Sequence, residues 1–539
     1  MTVHHHSDRP YEWVGSLSAK RAALTPDRVG LVDADTGAEY TYAELDRRAN
    51  RSARLLARFG VEKGDRVAVV SRNRPEQVDW YFATAKLGAV LAPLSHRLAP
   101  RELAAMLDDI EPRLLIVETP FVTDVRDALE RDDAPTVDSL LSLRDEGDTV
   151  ETERFQPYDE VLPEDDSPVD VTDIALSDPH LFLHTGGSTG LPKQVVQTHG
   201  AIAWNAFNTV LSWGLRPDDV TPMIFPFFHT GGWNVLTIAL FHLGGTVVIS
   251  REVDPGDVLS TVEQRAATVF VSVPAVLRFM VEHDDWERTD LSSLRFVKSG
   301  GGPCRDAIIE AWSERGLEIS QGYGLTECGP NNFAMPEGFP REKTDSIGVP
   351  GLYVDARVVD DEGAVVPPGE VGELELASPH ASDGYWRNEE ATAETFGRVT
   401  EETDANGDDA WVSTGDLART DEEGYFYIEG RKKNMFVSGG ENVYPPEVES
   451  VITDHPKVDE AVVVPVPDDR WGEVGKAVVE GDESLTLEEL RTFLDGRLAR
   501  FKIPRYLAFV DEMPTSGPSK IDRQAVEAAF GGDTGSTER

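Results

Sequence analysis

The stretch "DRVAVVSRNRPEQVDWYFATAKLGAVLAPL", residues 65–94, decides the fold class. Its opening "DRVAVV" reads as a strand, Pro75 to Leu87 as a helix, and "GAVLAPL" as a second strand. "RLLIVE", residues 113–118, reads as a third strand, and "GGTVVIS" and "ATVFVSVP" stand on either side of a helical "DVLSTVEQR". Strands alternating with helices make parallel sheets with helices on their faces. The expectation is therefore α/β, with a large N-terminal domain of parallel-rich sheets flanked by helices. Residues 119–173 are rich in Pro and Asp and are read as surface excursion rather than core. The segment "TEETDANGDDAW" is read as a polar loop.

After Gly430 the texture changes. "YPPEVESVITDHPKVDEAVVVPVPD" reads as helix then strand, and "TLEELRTFLDGRLAR" as a charged helix. These predict a small α+β C-terminal domain over residues 431–539, an ordinary domain size, after an N-terminal domain over 1–430.

Composition narrows the partners. The 539 residues carry 97 acidic against 51 basic side chains, a formal net charge of −46, and only 12 of the basic residues are lysines. Such a polyanion repels nucleic acid and anionic membranes. Its charge suits a salt-rich cytosol, where screening relieves self-repulsion. No apolar run is long enough to span a bilayer, and the first residues lack a signal-peptide core, so a cytoplasmic location is expected. Cys304 and Cys328 are the two cysteines, and no CxxC or HExxH zinc pattern occurs.

Five segments carry chemistry. "LHTGGSTGLPKQVVQTHG", residues 183–200, is rich in glycine and hydroxyls before Lys193. The kinase-type phosphate loop requires Gly-Lys-Ser/Thr, whereas Leu191 and Pro192 separate Gly190 from Lys193 and Gln194 stands in the hydroxyl position. That pattern fails. Thr185, Gly186, Gly187, Ser188, Thr189 and Gly190 still offer N–H and hydroxyl donors for a triphosphate, with Lys193 as a point charge. A solvated turn between strands fits the same residues. In "QGYGLTE", from Gln321 and Gly322 to Glu327, the carboxylate follows the Thr326 hydroxyl and suits phosphate-bound Mg²⁺. Tyr323 offers a flat face to a base, and Gly324 permits close approach. Asp416 in "STGDLART" suits a ribose clamp. "GRKKNMFVSGGENVYPPEVE" and "MPTSGPSKIDR", with Lys520, complete the set.

Together, in this order, these segments resemble the superfamily of acyl-CoA synthetases, peptide-synthetase adenylation domains and luciferases. "FPFFHTGG" and "GELELASPHASDGYWRNEEAT" extend the resemblance over nearly the whole chain. It implies an adenylate-forming enzyme that uses ATP, Mg²⁺ and CoA on a small-molecule carboxylic acid. The acid first attacks the α-phosphorus, giving an acyl-adenylate and pyrophosphate; a thiol then displaces AMP. By resemblance, Thr185 to Lys193 close over the phosphates, Tyr323 stacks on adenine, Thr326 meets the α-phosphate and Glu327 holds Mg²⁺. Asp416 binds ribose, aided by Arg431. His229 lies beside the acyl carboxylate, and Gly300, Gly301 and Gly302 line the acyl pocket, which Trp204 and Trp233 either shape or back as ordinary core. Lys520 is the cation bridging carboxylate and phosphate. Lys433 is the hinge of a mobile C-terminal domain whose rotation brings Gly439 and Gly440 to the thiol tunnel. Gln194, the Gly-Gly-Ser-Thr loop centre and Ser519 depart from the family pattern. The competing readings are an adenylation enzyme serving a separate carrier protein and a non-catalytic acyl-adenylate sensor. The acid and the oligomeric state are left open.

Overall fold

The computed structural model describes residues 14–131, 136–145, 154–185, 192–302, 304–397, 411–438, 441–468, 470–495, 497–515 and 521–531. By contacts the chain forms two compact units. The first comprises Met1–Phe339, Pro350–Asp355 and Leu376–Val412; the second comprises Pro340–Val349, Ala356–Glu375 and Ser413–Arg539.

The first unit is α/β, as the alternation predicts. Among the described residues a seven-stranded sheet runs in the spatial order Gln156–Pro157, Leu140–Leu143, Leu114–Glu118, Arg66–Val70, Val90–Leu94, Pro179–Thr185, Lys193–Thr198. All neighbours are parallel except the last pair, an antiparallel hairpin. The helix Pro75–Leu87 crosses between two of these strands, with Pro75 in its first turn and Gly88 closing it at φ 68°. Proline pre-sets the helical φ at that start, and the left-handed stop favours glycine. A four-stranded sheet pairs Val220–Met223, Thr246–Ile249, Val29–Asp33 and Glu39–Thr41, and a three-stranded parallel sheet pairs Val269–Ser272, Phe296–Gly300 and Ile319–Gly322.

Two sequence expectations need correction. Residues 119–173 are not all surface excursion. All four residues of Leu140–Leu143 are buried in the large sheet, and the helix Val122–Leu129 buries Val122, Val125, Ala128 and Leu129. Short buried strands between polar loops vanish when composition is averaged over fifty residues. The charged C-terminal helix is likewise shorter than its polar pattern suggests. It spans Leu487–Leu494, is capped by Thr486, and stops where Asp495 turns extended.

The second unit is α+β. A four-stranded sheet contains Asp355–Val359, Gly372–Ala377, Val412–Thr420 and Phe426–Arg431, in that order. A five-stranded sheet is built on the long antiparallel pair Val458–Asp468 and Gly472–Gly481. The helix Pro445–Thr453 packs on the latter through Val448 and Ile452. Arg523 and Glu449 form a partly buried ion pair that joins the last described helix to Pro445–Thr453. Lys433 lies in the single turn Lys432–Asn434, inside this unit. Among the described residues no helix is long and apolar enough to cross a membrane, and both cysteines are buried and free.

Candidate active site

Parallel sheets gather functional groups at the C-terminal ends of their strands, where loops leave the core. In the large sheet Thr185 ends one strand and Lys193 begins the next, and the two are register partners across the hairpin. The strands on either side of the glycine-rich segment are therefore antiparallel partners. Gly186, Gly187, Ser188, Thr189 and Gly190 themselves lie outside the described residues, as do Gly439, Gly440 and Lys520. Gln194, the unexpected residue, is 1% exposed, its side chain directed from the strand toward Met106 of the helix Pro100–Ile110, so it belongs to the packed core beneath the strand.

Strand pairing also joins two segments distant in sequence. Gly300 and Gly322 are register partners at the ends of Phe296–Gly300 and Ile319–Gly322. Gly300, the first of the three glycines Gly300, Gly301 and Gly302, thus stands beside Gly322, where the turn toward Glu327 leaves its strand. An added Cβ would meet nothing within 4 Å at Gly302 and only Val273, at 3.7 Å, at Gly301, so the loop leaves open space.

The turn from Tyr323 to Cys328 is held from several sides. Thr326 is buried, its carbonyl accepting from Gln197 Nε2 at 2.6 Å, and Glu327 carbonyl accepts from the Ser382 N–H at 2.8 Å. Tyr323 meets Phe333 edge to face at 5.7 Å. Gly324 is required by this turn itself: a Cβ there would lie 2.1 Å from the Pro330 carbonyl oxygen. The close approach expected at Gly324 is therefore with its own chain. The Glu327 carboxylate accepts from the Tyr385 hydroxyl at 2.7 Å, and the Lys193 ammonium sits 4.7 Å above the Tyr385 ring.

Behind the turn, His380 is wholly buried with Nε2 3.1 Å from Asn332 Oδ1, and burial pushes it down to about 3. Its pKa is lower in the folded than in the unfolded chain, so its contribution to stability is complete above pH 6.5 and is lost as pH falls toward 3. Unfolding by urea at constant salt is expected to show a loss of about 1 kcal/mol between pH 7.5 and 5.5 from this imidazole. A His380→Asn variant should show a smaller pH difference by that amount.

Around His229 the structure adds a residue that the motifs did not single out. His184 precedes Thr185, and its Nε2 accepts from the Ser95 N–H at 3.2 Å, which places the proton on Nδ1. Burial, and secondarily the charge of His229, lower it to about 4, so it is neutral at physiological pH. Its ring lies parallel to Phe228, with centroids 5.8 Å apart. Trp204 is edge-on to Tyr353 and Phe207. Trp233 is fully buried, stacked on Phe227 and Tyr81, and its indole N–H donates to the Phe227 carbonyl at 2.6 Å. It belongs to the core and does not face an open acyl pocket, because its π-faces and its one donor are all committed within the fold.

In the second unit, Asp416 and Arg431 are register partners in adjacent antiparallel strands, and the guanidinium pairs with the carboxylate at 2.6 Å. Asp416 is 5% exposed, and its backbone N–H is held by Thr414 Oγ1 at 3.1 Å. Gly415 beside it adopts φ 68°. The family resemblance names both residues for the ribose; their pairing with each other is added by the structure. The motifs passed over Tyr385, Gln197 and His184; all three stand in quoted segments, but the neighbours that give them a role are remote in sequence.

Comparison with known proteins agrees with this geometry. Residues 18–386 match the family AMP-binding enzyme, and residues 447–520 match the AMP-binding enzyme C-terminal domain. The chain is 37% identical over 520 residues to a feruloyl-CoA synthase from Amycolatopsis sp, covering 96% of this chain and 99% of the relative. It is 33% identical to an indoleacetate–CoA ligase from Aromatoleum aromaticum, covering 96% and 97%. It also superposes on the anthranilate CoA ligase AuaEII in complex with anthranoyl-AMP, with a TM-score of 0.87, 27% identity and coverage of 97% and 98%. The chain belongs to the AMP-binding enzyme family and is an AMP-forming acid–thiol ligase.

Proposed function

We propose that this ligase joins a planar, aryl-bearing carboxylic acid to CoA at the expense of ATP. The observation that carries the choice of acid is the parallel His184–Phe228 pair, with the His229 ring beside Phe228. Flat rings favour offset stacking against other flat rings. The relatives named for feruloyl, indoleacetate and anthranilate substrates support the same class.

In this reading Lys193 and the Thr185 hydroxyl bind the triphosphate, and Thr326 meets the α-phosphate. Tyr323 lies on the adenine, and Asp416, steadied by Arg431, binds the ribose. His229 and the neutral His184 orient the acid, Gly300, Gly301 and Gly302 leave room for its body, and Lys520 bridges carboxylate and phosphate. Trp204 is left to the helix surface. A single carboxylate beside a hydroxyl fits Mg²⁺, which retains waters and phosphate oxygens as its other ligands, so Glu327 would hold the ion. When bound, Mg²⁺ neutralises phosphate charge. For the thiol step we assign Lys433 as the pivot and Gly439 and Gly440 to the thiol path; a turn of a few residues can absorb a domain rotation. The net charge of −46 fits work in concentrated salt.

The test is acid-dependent ATP–pyrophosphate exchange in concentrated KCl with ferulate, indoleacetate, anthranilate, hexanoate and palmitate, followed by mass spectrometry of CoA thioesters. Aryl acids are expected to give both exchange and thioester. Exchange confined to the aliphatic acids overturns the aryl assignment. Exchange without thioester would mean that a carrier protein is the acceptor.

A further inference from the structure

Lys193 and Glu327 are 134 positions apart, yet both meet the side chain of Tyr385, one on its ring face and the other on its hydroxyl. The backbone of residues 383–386 is laid along the strand that carries Lys193. The Asp383 N–H donates to the Val196 carbonyl at 3.0 Å, the Val196 N–H to the Gly384 carbonyl at 2.9 Å, and the Trp386 N–H to the Gln194 carbonyl at 2.8 Å. The Tyr385 N–H is itself held by Thr392 Oγ1 at 2.9 Å. Gly384 makes this possible: its φ is 104°, and a Cβ would collide with Thr392 Cγ2 at 2.5 Å. The strand is tied in turn to the acidic turn through Gln197 Nε2 and the Thr326 carbonyl. Lys193, Gln197, Thr326, Glu327 and Tyr385 thus form a closed ring of contacts, with Tyr385 its one side chain that touches both charges.

We propose that Tyr385 is a positioning residue for the phosphate site, setting the Glu327 carboxylate with its hydroxyl and the Lys193 ammonium with its ring. The proposal rests on the assignment of Glu327 and Lys193 to the ATP phosphates. A hydroxyl donating to a carboxylate is a charge-assisted hydrogen bond, and it selects one carboxylate orientation. An ammonium over an aromatic face is attracted by the ring quadrupole, which restricts where the charge sits.

Two variants separate the two contacts. Tyr385→Phe retains the ring and removes the hydroxyl; Tyr385→Leu removes both. The readouts are Mn²⁺ binding with α,β-methylene-ATP, followed by electron paramagnetic resonance, and the Mg²⁺ dependence of pyrophosphate exchange. Tyr385→Phe is expected to weaken Mn²⁺ binding about 10-fold, the scale of one charge-assisted hydrogen bond, with less than about 3-fold change in the KM for ATP at saturating Mg²⁺. Tyr385→Leu is expected to raise that KM further. Wild-type Mn²⁺ binding in Tyr385→Phe overturns the proposal if Glu327→Gln in parallel weakens it. Unchanged Mn²⁺ binding in Glu327→Gln overturns the phosphate-site assignment of Glu327 and this proposal with it. Thermal melting in the same buffer separates these results from misfolding.

Discussion

Lys520→Ala is expected to lower acid-dependent pyrophosphate exchange by about 10²–10³-fold, while thioester formation from supplied acyl-adenylate and CoA changes only a few-fold. Charge builds on the phosphorus oxygens as the acid attacks, and a preorganised cation aimed there stabilises the transition state more than the ground state. In the thiol step the acyl C–O bond breaks and AMP leaves with its electron pair. The proposed rotation about Lys433 withdraws Lys520 before that step, so its loss should matter little there. The match to the AMP-binding enzyme C-terminal domain runs as far as residue 520 and includes this lysine. Lys520→Arg separates charge from shape: partial recovery of exchange is expected, since Arg retains the cation but not the compact ammonium. Equal losses in both half-reactions contradict the proposed role.

Asp219→Asn is expected to destabilise the first unit by about 3 kcal/mol without altering the KM for ATP of the folded enzyme. Asp219 is 1% exposed and immediately precedes the strand Val220–Met223. Its carboxylate accepts from Arg295 Nη2 at 2.7 Å on both oxygens, from Thr268 Oγ1 at 2.7 Å and from the Arg216 N–H at 2.6 Å. Thr268 and Arg295 precede two strands of the three-stranded sheet, so one buried anion ties two sheets together at their N-terminal ends. Neutralising it leaves the guanidinium without its partner, and the lost stability is a large share of an ordinary folding free energy. The proposed site segments 300–302 and 323–327 follow the opposite ends of strands in the three-stranded sheet, which is why binding should survive. Chemical unfolding at fixed KCl measures the first effect and initial-rate kinetics the second. An unchanged unfolding midpoint would show that the tie is dispensable.

Local patterns were legible wherever a segment's environment follows from its own residues. The helix Pro75–Leu87 and the strands beside it are bounded by their own prolines, glycines and β-branched runs, and they form where the sequence places them. Leu140–Leu143 escaped notice because four buried residues amid polar loops resemble a loop until Leu114–Glu118 pairs with them. Trp233 was ambiguous for a related reason. An indole suits a core and a pocket wall equally, and only its stacking on Phe227 and Tyr81 decides between them.

The sequence alone determined the α/β class and the family, and it nominated the groups proposed for the chemistry, because periodicity and residue type are properties of short segments. Which groups meet was decided by tertiary structure. Gly300 reaches Gly322 through strand register, Gln194 turns inward because it lies on a strand, and Tyr385 stands between Lys193 and Glu327 because its backbone continues the hairpin's pairing. Contacts between residues more than a hundred positions apart depend on how sheets are ordered and registered, and no short stretch of chain encodes that by itself.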